Sequence, residues 1–196
     1  TYESVHEIEN WDDLRRRLQP EDRRCFAFFH PAMPDEPLIF VEVALTKGTP
    51  NSIQSVLLEN RDAMAAEKAD TAAFYSISNC QAGLAGISFG NSLIKTVVQH
   101  LLRELPQIRN FVTLSPIPGL VKWLRETGNF DADATAETHM KLAAHYLLNA
   151  KHHRGQPHDP VARFHLNNGA LVGAVHANAD KSKNGMAQSC GVMVNY

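Results

Sequence analysis

The chain has 196 residues, 44% of them hydrophobic and 20% charged, with a formal net charge of −2, as expected of a soluble globular domain that buries a core. A sequence pI near 6.5 excludes a nucleic-acid binder held by phosphate contacts, and no apolar run reaches the roughly 18 residues that a membrane-spanning helix requires. Cys25, Cys80 and Cys190 are too few and too scattered for a disulfide scaffold or a zinc knuckle, so a reducing, cytoplasmic location is expected.

Taken in chain order, Trp11 to Leu18 reads as a short charged surface helix, followed by a buried strand from Arg23 to His30. Pro31, Pro34 and Pro37 argue against regular structure, and Leu38 to Leu45 reads as a second strand forming a hairpin with the first. Ser52 to Lys68 reads as a helix, broken near Asn60, and Thr71 to Ile77 as a strand. After glycines 83, 86 and 90, the apolar positions Leu93, Ile94, Val97, Val98, Leu101, Leu102 and Leu105 recur at helical spacing until Pro106, the strongest periodic signal in the chain. Phe111 to Leu114 is a short strand, Leu120 to Glu126 a brief helix, Gly128 to Thr135 a polar linker and Ala136 to Ala150 another helix. A His-rich loop from Lys151 to Asp159 precedes a helix that Asp159-Pro160 starts and Gly169 stops; Leu171 to Ala177 and Cys190 to Asn195 read as strands. The alternation makes the class α/β, a mixed sheet with flanking helices in one domain. The chain starts at Thr1 without an initiator methionine and stops at Tyr196 inside an apolar run, so a fragment is expected, with a targeting segment or further domain lost from either end.

Four features bear on chemistry. The junction from Thr71 through Ser78 to Val97 is strand, glycine turn, helix. Such a turn lets a ligand approach the backbone, and unpaired N–H groups at a helix start favour a pyrophosphate; the same turn also serves as plain packing. Val161 to Gly169 carries His165, either a proton donor near neutral pH or a helix histidine packed on Phe164. His152, His153 and His158 lack the spacing of a metal site and read as a solvated loop, and Cys190 beside Val192 and Met193 reads as a buried, inert thiol.

Several longer strings occur in one order: His30-Pro-Ala-Met-Pro-Asp-Glu-Pro-Leu-Ile-Phe-Val-Glu-Val-Ala-Leu-Thr46, Phe74-Tyr-Ser-Ile-Ser78, Gln81-Ala-Gly-Leu-Ala-Gly86, Leu114-Ser-Pro-Ile-Pro-Gly119, Lys151-His-His-Arg-Gly155, Asp159-Pro-Val-Ala-Arg-Phe-His-Leu-Asn-Asn-Gly-Ala170 and Ser189-Cys-Gly191. Together they resemble the malonyl-CoA decarboxylase family from about Trp11 to Tyr196. The resemblance implies a mostly antiparallel, twisted sheet flanked by helices in the acetyltransferase (GNAT) superfold. It implies a carboxy-lyase of fatty acid metabolism that turns malonyl-CoA into acetyl-CoA without metal or organic cofactor. The partners implied are malonyl-CoA and acetyl-CoA, with homo-oligomers formed through regions partly outside this chain. The family's serine–histidine pair maps onto Ser115 and His165, and a further histidine onto His30. Its CoA loop maps onto Ala85, Gly86, Ile87, Ser88, Phe89, Gly90 and Asn91, with Ser88 where better-known members carry Glu. The linker from Gly128 to Thr135 is also shorter than theirs, and the family's separate helical domain is not visible here. Residue by residue, Ser115 also suits a helix-start cap before Leu120, and His30 a structural hydrogen bond at a strand end. An acyl-CoA-dependent acyltransferase of the same fold and a non-catalytic acyl-CoA-binding module are the alternatives.

Overall fold

The computed structural model describes residues 5–58, 60–81, 83 and 90–196. It divides into two compact units, Thr1–Pro50 with Val56–Val112 and Asn51–Ser55 with Thr113–Tyr196.

In the first unit, α1 (Trp11–Leu18) is capped by Asn10, whose side chain accepts the Asp13 N–H. Strands β1 (Arg23–His30), β2 (Met33–Thr46), β3 (Thr71–Asn79) and β4 (Asn110–Thr113) form a sheet in the order β1-β2-β3-β4, with β2 antiparallel to both β1 and β3. Alternate residues of β2, Val41, Val43 and Leu45, pack with Val97 and Leu101 of α3 (Gly90–Glu104) and with Leu105 just past its end. Glu42 falls between them in sequence and projects to the other side, where it meets the buried Arg17 of α1 at 3.5 Å.

Two expectations fail for identifiable reasons. Pro34 and Pro37 lie inside β2, because its pairing with β3 starts only at Ile39; before that point β1 is its only strand partner among the described residues, and a missing N–H is tolerated on a side without a paired strand. The register slips around Phe28 and Phe29 absorb the misfit. The expected helix from Ser52 to Lys68 is only α2 (Ile53–Leu57) and a 3-10 turn at Ala66–Lys68. Between them the buried carboxylate of Asp22 accepts both the Arg61 guanidinium and the Met64 N–H, holding the segment out of helical geometry. Strand β1 is also less buried than expected, with only Arg23 fully so.

In the second unit, β5 (Ser115–Pro116), β7 (Met193–Val194) and β6 (Val175–His176) form an antiparallel sheet in the order β5-β7-β6. Helices α4 (Leu120–Glu126), α5 (Ala136–Asn149) and α6 (Pro160–Asn167) bury Leu120, Leu124, Ala143, Tyr146, Leu147 and Ala162 with Val192 and Val194. The His-rich loop holds a short 3-10 turn at His153–Gly155. The strands expected over Leu171 to Ala177 and Cys190 to Asn195 shrink to β6 and β7; Leu171 lies outside both and is 82% exposed. Sequence reading also missed α7 (Lys183–Ser189), which is capped by Ser182 and ended by Cys190 in the left-handed region. Gly191 follows at φ +74, and a Cβ there would crowd Met186 Sδ and the Asp180 carbonyl. Among the described residues no helix is long and apolar enough to cross a membrane.

Candidate active site

The second unit brings Ser115 and His165 together across 50 residues of sequence. Ser115 stands on β5, its Cα opposite Val194 of β7. Thr113 lies two residues earlier and on the same side of the extended chain, so Ser115 Oγ donates to Thr113 Oγ1 at 2.8 Å. The Thr113 hydroxyl oxygen also accepts the Tyr196 N–H at 3.2 Å, and its carbonyl accepts Asn195 Nδ2 at 2.7 Å. Asn195 in turn pairs with His176 Nε2. Strand pairing with the 192–196 segment thus fixes the serine.

His165 is delivered by α6. Asp159 caps that helix, its Oδ1 accepting the Val161 and Ala162 N–H groups at 3.0 Å each, and Pro160 takes the first helical position, where no N–H is needed. The imidazole stacks on the Tyr196 ring (4.5 Å between centroids, 22° between planes) and meets Phe164 edge-on at 5.0 Å. Its Nε2 is 3.4 Å from Ser115 Oγ. Ser115 is 6% and His165 5% exposed.

Burial alone pushes the His165 pKa down to about 4, so the ring is neutral at physiological pH. Because the Ser115 hydroxyl hydrogen is directed to Thr113, Oγ is an acceptor toward the ring, which assigns the proton to Nε2. Among the described residues no carboxylate hydrogen-bonds this imidazole, so the arrangement differs from a serine–histidine–aspartate triad. It offers a hydroxyl and a neutral N–H, two donors that can turn onto one anionic oxygen; the 3.4 Å separation is the loose geometry common before substrate binds. The Asp159 carboxyl, 2% exposed, is pushed up by burial, against the pull of the Ala162, Gly119 and Val161 amides.

The other predicted residues fall elsewhere. Ser115 does not cap α4; Gly119 occupies that position without a side-chain cap. His30 belongs to the first unit, exposed at the end of β1, where its Nδ1 accepts the Ala32 N–H at 3.1 Å. Ala85, Gly86, Ile87, Ser88 and Phe89 lie outside the described residues, while Gly90 and Asn91 open α3. His152 and His158 stack at 4.7 Å, and His158 Nδ1 is 3.1 Å from the Tyr146 hydroxyl. Among the described residues no group of three or more His, Cys, Asp or Glu side chains is arranged to hold a metal ion. Cys190 is buried, and burial pushes its thiol pKa up. Thr113, Asn195 and Tyr196 were missed as site residues. Only the two-residue spacing from Thr113 to Ser115 was visible locally, since the other contacts arise from strand pairing.

The sequence model of a family described as malonyl-CoA decarboxylase C-terminal domain matches residues 1–139 and 127–196. The chain is 42% identical to the mitochondrial malonyl-CoA decarboxylase of Anser anser anser, with 99% of this chain and 47% of the relative covered. The crystal structure of malonyl-CoA decarboxylase from Rhodopseudomonas palustris is similar at TM-score 0.88 and 54% identity, covering 100% of this chain and 54% of that one. A GNAT-like decarboxylase solved in complex with isobutyryl-CoA is similar at TM-score 0.60 and 21% identity, over 93% and 80% of the two chains, which places the fold among GNAT-like proteins. The chain spans about half the length of the malonyl-CoA decarboxylases it matches.

Proposed function

The chain belongs to the malonyl-CoA decarboxylase family, and from that premise we propose that it forms the catalytic part of a carboxy-lyase converting malonyl-CoA to acetyl-CoA and CO2. The observation that carries this reading is the buried contact between the Ser115 hydroxyl and the His165 imidazole.

The reaction breaks the bond between the carboxylate carbon and C2, and the electron pair moves into a thioester enolate whose charge sits on the thioester oxygen. Donors preorganised at that oxygen lower the barrier, and they act more strongly where water is excluded. Ser115 and His165 supply such donors, to the thioester oxygen or to the departing carboxylate. A proton must then reach C2. Because the imidazole is neutral at rest, His165 serves best as an N–H donor that orients a water, and that water delivers the proton. No metal or organic group enters this scheme. The CoA pyrophosphate is assigned to Ala85 through Asn91 on the sequence resemblance, and His30 receives no step because its hydrogen bond holds a turn.

The family match runs across both units, and we read them as one catalytic domain that works within a homo-oligomer. The cytoplasmic assignment is relaxed to a reducing compartment, since curated relatives from goose and rat are named mitochondrial. Incubating the purified protein with malonyl-CoA and no acceptor tests the reading: acetyl-CoA and CO2 should form in equal amounts. An acyltransferase would leave malonyl-CoA intact until an amine is added, and a binding module would retain CoA and release nothing.

A further inference from the structure

One buried carboxylate touches both chain segments that hold the Ser115–His165 pair. Asp159 Oδ1 accepts the Val161 and Ala162 N–H groups that open α6. Its other oxygen, Oδ2, accepts the Gly119 N–H at 3.1 Å. Gly119 follows Ser115 by four residues, and Asp159 precedes His165 by six. The link from Gly119 to Ser115 is stiff: Pro116 and Pro118 fix two of its backbone angles, and Ile117 is fully buried. The link from Asp159 to His165 is α6 itself, a rigid helix. Gly119 is held so closely that an added Cβ would collide with the Tyr146 hydroxyl and come within 3.3 Å of Asp159 Oδ2. An ordinary helix cap needs only the first pair of contacts; the third reaches 40 residues back in sequence to the serine loop.

Resting on the roles given above to Ser115 and His165, we propose that Asp159 is a positioning residue: its carboxylate clamps the serine loop to the histidine helix and so sets the hydroxyl-to-imidazole separation. It touches neither side chain of the pair and acts through the two backbones.

The oxygens of Asp159 have separate tasks, so substitution can divide them. In Asp159→Asn the amide oxygen still caps α6, because Asn caps helices as well as Asp does, but the amide NH2 then faces the Gly119 N–H. Turning the amide over only moves the clash to the cap. Asp159→Ser gives a second cap without the clash and leaves Gly119 unbridged. Both variants, made in the intact protein, should keep their circular dichroism at assay temperature. Their kcat on malonyl-CoA should fall about tenfold to a hundredfold with KM changed less than threefold, the penalty expected for a displaced catalytic group. In a Ser115→Ala background the further loss should shrink to about twofold or less, because the clamp has no pair left to position. Without substrate, the His165 ring titration followed by NMR should move in both variants, and the Gly119 amide should exchange faster.

Variants within about threefold of wild-type kcat, or an undiminished loss in the Ser115→Ala background, would reduce Asp159 to a helix cap and overturn the clamp. Unfolding of both variants would overturn it as well, since the carboxylate would then serve stability. If the wild type leaves malonyl-CoA intact, the functional reading fails by itself, and the NMR arm still decides whether the carboxylate governs the geometry of the pair.

Discussion

Acid should strip stability from the second unit through one ring. His165 is buried with its pKa pushed down to about 4, against about 6.5 in an unfolded chain. Between those limits the unfolded state binds the extra proton, so the contribution is complete above pH 6.5 and is lost as pH falls toward 4. Linkage over that window gives a loss of about 2 kcal/mol by pH 5 and about 3 kcal/mol by pH 4 relative to neutral pH. The perturbation is His165→Gln, which keeps a polar side chain and removes the titration. Urea unfolding of wild type and variant at pH 7, 6, 5 and 4.5, followed by tryptophan fluorescence, provides the assay. The wild type should lose about 2 kcal/mol more than the variant between pH 7 and 5, whatever the other nine histidines contribute to both. Parallel pH dependence of the two proteins would show that His165 titrates normally, and the neutral-donor role would fall with it.

Two further outcomes follow from burial. The Tyr196 hydroxyl is buried and has no hydrogen-bond partner among the described residues. Tyr196→Phe should therefore melt at or slightly above the wild-type temperature, whereas Tyr196→Ala should lose about 3 kcal/mol or more along with the ring beneath His165. Arg17, 2% exposed, bonds Asp13 at 3.1 Å and lies 3.5 Å from the fully buried Glu42. Arg17→Ala should destabilise the first unit by about 3–5 kcal/mol by taking the buried cation away from Glu42, while Asp13 keeps Arg16 at 3.4 Å, as chemical denaturation would measure; Arg17→Met paired with Glu42→Leu should recover much of the loss.

Elements with strong local signals were legible in the sequence. The ladder from Leu93 to Leu105, the Asp159-Pro160 helix start and the branched run of β2 each specify their structure within a few residues of themselves. Long-range contacts decided the rest. The segment after Leu57 has helical composition, yet the Asp22 carboxylate bonds Arg61 and Met64 and overrides it. Pro34 and Pro37 sit in a strand because pairing, invisible locally, leaves one side of β2 without a partner strand there. Helix α7 carries Gly185, a poor helix former, which its Ser182 cap offsets. Ser115 drew attention only through the family resemblance, and His165 read locally as either a proton donor or a packed helix histidine; nothing local pairs a strand serine with a helix histidine 50 residues away. Thr113 and Tyr196 surround that pair through the meeting of β5 with β7, and Asp159, read from sequence as a helix start, also reaches Gly119.

The central claim is that the Ser115 hydroxyl and the His165 imidazole together stabilise the charge released by decarboxylation. Single-turnover rates of malonyl-CoA decarboxylation by Ser115→Ala, His165→Ala and the double variant test it most directly. Each single change should slow the chemical step by about a hundredfold or more, and the double variant should be little slower than the worse single, as for groups that act as a unit. A folded variant of either residue that turns over at the wild-type rate would contradict the claim.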